Sequence, residues 1–214
     1  MKARKFFLVG MLILFLSGCV VYSFYPLYTE KDLFPNDILT GQWLETEDET
    51  TTIGEADGIW TFEHPFIDEK NTEERDSLSY LLKLKTKVDS GYVESVFDVH
   101  LIELGGEYFL DFYLHDFLEL EVDDLTLSDF HVVPVHTFAK LTLTDGGLFI
   151  NWFNPDWLEE LIRQNKIRIH HEDNGEFILL TAKTNELQKF VTKYVNSKEA
   201  FDEGLQVNLI RNNQ

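Results

Sequence analysis

Apolar and polar residues alternate through the middle of the chain, from about Ser79 to Phe153, with the two-residue period of strands that face a core on one side. Gly105-Gly106 forms a two-residue turn suited to positive φ. Folding the chain there sets Leu101 opposite Leu110, Val99 opposite Phe112 and Phe97 opposite Leu114, with His100 facing Asp111 on the other side. A preceding turn at Ser90-Gly91 predicts Tyr80 opposite Leu101, Leu82 opposite Val99 and Leu84 opposite Phe97. Both turns select the same inner face on the strand they share, which predicts a three-stranded meander. Asp145-Gly146 predicts a further hairpin with Leu141 opposite Ile150 and Leu143 opposite Leu148. Asn174-Gly175 joins Lys166–Asp173 to Glu176–Ala182 with Ile169 opposite Leu180.

The period changes to that of helices late in the chain. Asn154 is an N-cap followed by Pro155 at the first helical position, and Trp157, Leu158, Leu161 and Ile162 supply one apolar face. From Thr184 a second helix spaces Leu187, Phe190, Val191, Tyr194 and Val195 along one stripe. Leu205, Val207 and Leu209 alternate as a last strand, while Leu39–Leu44 and Ile59–Phe62 open the sheet. Pro65 to Asp76 is charged, proline-bounded and loop-like. The fold class is therefore mainly β with α (α+β): eight or nine antiparallel strands in a meander that closes as a barrel or curls strongly, with two or three helices in the C-terminal third.

Gly41-Gln42-Trp43 on the first strand resembles the Gly-x-Trp of lipocalins. That resemblance implies an eight-stranded barrel with a helix before a final strand, and an Arg after the last strands packed over the Trp. Arg211 stands where such a residue would be. More than one helix, one of them between strands, departs from the pattern. An inward set of Trp43, Trp60, Leu82, Phe97, Phe112 and Ile150 would line a cavity for a small apolar ligand or lipid in such a barrel. The same residues would fill a core in any sheet.

The N-terminus carries an address. Met1-Lys-Ala-Arg-Lys precedes an apolar run, Phe6 to Leu16, and then small residues, in the order of a secretory signal. Leu16-Ser17-Gly18-Cys19 resembles the lipobox of bacterial lipoproteins, and the one cysteine of the chain stands in it. The resemblance implies residues 1–18 as signal peptide, diacylglycerol on the Cys19 thiol and usually an acyl chain such as palmitate on its amine. Residues 19–36 would then be a lipidated tether and 37–214 a single domain. Val20 and Val21 after the cysteine, in place of Asp, point to the outer membrane, facing the periplasm, in a cell that has two membranes.

Charge narrows the function classes. With 38 acidic and 18 basic side chains the net charge is −20, which argues against nucleic acid as a partner. Cleavage before Cys19 removes Lys2, Arg4 and Lys5 and makes the chain more acidic still. One cysteine excludes an intramolecular disulfide, and His-Glu-x-x-His, nucleophile-elbow and glycine-rich phosphate motifs are absent. No cofactor or metal is expected, and no catalytic residue is assigned. The stretch Val88 to Ala139 holds twelve acidic residues and no Lys or Arg, a face that could recruit a basic envelope partner or could simply be solvated. Within it, His100 beside Asp111 is a pair that could orient an imidazole as a base or ligand, or stand as a surface ion pair worth little. The reading is thus a membrane-anchored, non-enzymatic envelope protein binding an apolar ligand, with an acidic interaction module as the alternative and a hydrolase as a remote third.

Overall fold

The computed structural model describes residues 20–46, 52, 55–68, 71–115 and 133–212. Eight antiparallel strands close into a barrel: β2 (Gly41–Glu45), β3 (Gly58–Glu63), β6 (Tyr80–Val88), β7 (Gly91–Leu104), β8 (Glu107–Leu114), β9 (His136–Leu143), β10 (Gly147–Trp152) and β13 (Gln206–Arg211). They follow one another in chain order around the wall, and β13 completes the ring by pairing with both β10 and β2. Closure removes the free edges that an open sheet of this length would leave.

The hairpin at Gly105-Gly106 has the expected register, with Phe97 opposite Leu114 and His100 opposite Asp111. The hairpin at Asp145-Gly146 likewise sets Leu141 opposite Ile150. Between β6 and β7 the register differs by two residues: Tyr80 faces Val99 and Leu82 faces Phe97. The turn lies at Asp89-Ser90, because Gly91, at φ 135°, already pairs with Val88. A slip of two keeps every side chain on its face, so the inner set is unchanged.

Pro65 to Asp76 is no simple loop. It holds a small hairpin, β4 (Phe66–Asp68) and β5 (Asn71–Arg75), with the Arg75 guanidinium 4.1 Å from the Phe66 ring.

Two α-helices occur among the described residues, α1 (Pro155–Arg163) and α2 (Thr184–Tyr194), both inserted before β13. Asn154 caps α1 by accepting the backbone N–H groups of Asp156 and Trp157. Between the helices, β11 (His171–Asp173) and β12 (Ile178–Leu180) form a shorter hairpin than the spacing suggests. His171, not Ile169, faces Leu180, because the Asn174 side chain accepts the N–H groups of Glu176 and Phe177 and widens the turn. The buried stripe of α2, with Leu187, Phe190 and Val191, packs on the outer face of the barrel.

Residues 20–36, expected as a tether, are packed on the domain. A short strand β1 (Tyr22–Ser23) inserts between β9 and β12. Val21 and Leu27 are buried, and Leu33 bridges to Ile102 on β7. Three apolar anchors in so short a segment give it a reason to lie down, which its proline and aromatic content had obscured. No helix among the described residues is long and apolar enough to cross a membrane.

Candidate functional site

One end of the barrel is plugged. The Trp43 indole N–H donates to the Leu39 carbonyl at 2.7 Å, and the Arg211 guanidinium carbon sits 4.4 Å from the Trp43 ring centroid. Strand pairing places the two residues directly opposite one another. Gly41 has φ 122°, and a Cβ there would lie 2.8 Å from an Arg211 nitrogen, so glycine is what lets the guanidinium swing over the ring. Arg211 also donates to the Thr40 carbonyl at 3.2 Å. Arg211 therefore lies where the Gly41-Gln42-Trp43 motif led one to look for it.

The six residues expected to face inward come together in one cluster. Trp43, Trp60, Leu82, Phe112 and Ile150 are buried, and Phe97 is partly buried against them. Ring centroids stand 6.4 Å apart for Trp60 and Phe112 and 5.4 Å for Phe112 and Trp152, a packed aromatic stack. Trp60 keeps its indole N–H satisfied by Glu45 at 2.9 Å. No wall of the surface cavities described includes any of the six. At the end opposite the plug, the strands lead into the 46–57 and 115–135 connections, and there Leu84 and Phe97 are only partly buried. The residues 47–51, 53–54 and 116–132 of those connections lie outside the described residues.

On the outer wall lies a second cluster. Asp111 is fully buried on β8, yet neither of its oxygens is idle. One accepts the Leu27 backbone N–H at 2.7 Å; the other accepts Nδ1–H of His136 at 2.7 Å. His100, the cross-strand neighbour, instead stacks on Tyr28 with ring centroids 4.1 Å apart. Burial holds the His100 imidazole below its ordinary range, against the opposing pull of Asp111, Asp98 and Asp76. Burial first, then the charges of Asp111 and Asp98, push the Tyr28 phenol well above its usual value. The sequence paired His100 with Asp111 correctly in register, but missed that His136 would take the carboxylate.

A buried carboxylate on Nδ1 orients an imidazole so that its Nε2 faces outward, an arrangement shared by general bases and metal ligands. Here Leu27 and Tyr28 lie against Asp111 and His100, Tyr113 packs against the His136 ring, and Ser23, which faces His136 in register, is fully buried and donates to the Tyr25 carbonyl. The cluster clamps the N-terminal segment to the wall. Among the described residues no group of three or more His, Cys, Asp or Glu could hold a metal ion.

The acidic stretch is less bare than it reads. Glu94 pairs with Lys85 and Glu107 with Lys140, each at 3.4 Å, and Asp98 meets His115 at 2.9 Å. Neighbouring strands thus bring in the cations that the stretch itself lacks. Cys19 lies outside the described residues. Comparison with protein-family models, with curated proteins and with solved structures gave no match.

Proposed function

We propose that this chain is a non-enzymatic, lipid-anchored protein of the cell envelope that holds a small apolar molecule in a lipocalin-like barrel. The observation that carries the reading is the barrel's interior, dominated by apolar and aromatic side chains, sealed at one end by Trp43 and Arg211 and rimmed at the other by Leu84 and Phe97. The aromatic stack of Trp60, Phe112 and Trp152 fills the middle, so the seat for a ligand is the rimmed end. An apolar molecule placed there would cover partly buried Phe97 and Leu84 and gain the transfer free energy of its own surface. The anchor is the thioether lipid on Cys19 that the Leu16-Ser17-Gly18-Cys19 motif implies, with the outer membrane as its site in a two-membrane cell.

The test is a titration with N-phenyl-1-naphthylamine, a neutral apolar fluorophore. Saturable enhancement that weakens on Phe97→Asp and not on Tyr92→Asp, an exposed position on the same strand, supports the reading. Enhancement equal in both variants, or none in the intact protein, overturns it.

A further inference from the structure

Basic side chains gather in one cleft of the described surface. A cleft of about 230 Å³ between the α1–β11 connection and α2 is lined by Lys166, Arg168, Lys189 and Lys193. These are four of the chain's 18 Lys and Arg, gathered in a chain of net charge −20. All four are exposed, and among the described residues none of them makes an ion pair. The one carboxylate in the lining, Glu186, is already engaged by the His170 backbone N–H at 3.0 Å and its imidazole at 2.7 Å.

Three features argue that the cleft is built. Lys189 and Lys193 stand four apart on α2, where like charges repel and weaken the helix. Between the cations the floor is apolar, from Ile167, Phe190 and Tyr194, and Trp157 braces it edge-on to Tyr194 at 5.0 Å. Arg168 supplies a planar fork suited to two oxygens at once, while the lysines supply point charges around it.

We propose that this cleft binds a phosphate group carried on an apolar body, the cations taking the oxygens and the Ile167–Phe190–Tyr194 floor taking the attached chain. The source that fits both parts of the cleft is the headgroup of an anionic lipid, and free phosphate, which has nothing for the floor to hold, is separable by probe. In a chain of net charge −20 such a cleft offers an anion a local place of approach.

The experiment is calorimetric titration of the intact protein in phosphatidylcholine nanodiscs with three monomeric probes: dihexanoyl phosphatidic acid, dihexanoyl phosphatidylcholine and inorganic phosphate. Phosphatidic acid should bind at least about tenfold more tightly than phosphatidylcholine, and binding should weaken as salt rises. The paired change Lys189→Glu and Lys193→Glu should abolish it, and Arg168→Gln should weaken it. Lys87→Glu, on the distant β6–β7 hairpin, should leave it unchanged. Equal binding of phosphatidic acid and inorganic phosphate would overturn the proposal, because the apolar floor would then hold nothing. Equal binding of the two lipids, or undiminished binding in the paired variant and in Arg168→Gln, would overturn the proposal.

Discussion

Arg211 caps Trp43: the guanidinium carbon lies 4.4 Å from the ring centroid, and the last strand of the barrel holds the two residues face to face across the first. The contact joins the first and last strands of the barrel and seals one end of the core in the same stroke. Arg211 is exposed, and a cation over an indole at an exposed site contributes about 0.5–1 kcal/mol. Arg211→Ala should therefore lower unfolding free energy by about that much, and Arg211→Lys should restore part of it. Urea denaturation at neutral pH measures both.

Gly41 permits this contact. Any side chain there meets a strained φ of 122° and collides with the guanidinium. Gly41→Ala should cost about 1–3 kcal/mol, from backbone strain and the displaced arginine together. In the double variant Gly41→Ala with Arg211→Ala the two losses should be less than additive, since the collision is gone. Full additivity in the same urea titrations would mean that the two residues do not meet.

Asp111 ties the N-terminal segment to the barrel through the Leu27 N–H and His136. Removing the carboxylate leaves both donors unpaired in a buried place, so Asp111→Ala should cost about 3–5 kcal/mol. Hydrogen exchange at the Leu27 amide should accelerate in the milder Asp111→Asn, before global unfolding. Unchanged protection there would dissociate the segment from the carboxylate.

His100 gives the fold a definite response to acid. Burial depresses its folded pKa below 6.5, so the unfolded chain takes up a proton at a higher pH than the folded chain does. Its share of stability is thus complete above about pH 6.5 and is lost as the pH falls below that value. Urea midpoints at about pH 7.5 and about pH 5.5 should differ more for the natural chain than for His100→Gln. An equal drop in both would show that His100 titrates no differently folded than unfolded.

Much of the wall was legible because period and turn chemistry agree locally. Gly105-Gly106 and Asp145-Gly146 fix their hairpins to the residue, and Asn154-Pro155 announces α1. Register failed where the turn had competitors: Gly91 joins β7 rather than the turn, and Asn174 widens its own loop. What the sequence could not show were relationships across distance. Leu27 and Asp111 are 84 residues apart, and nothing local in either marks the other as a partner. The same holds for the basic cleft, whose four cations come from two separate segments in a chain that reads as uniformly acidic. Trp43 and Arg211 were linked by a resemblance in three residues, not by pattern.

Native mass spectrometry of the protein, released gently from cell membranes, tests the barrel reading most directly. We expect the mass of residues 19–214 with its lipid on Cys19, and with it a small apolar molecule that leaves on mild activation and is absent from Phe97→Asp. A preparation in which the intact protein and Phe97→Asp both carry no such molecule, even after exposure to a lipid extract of the same cells, would contradict it.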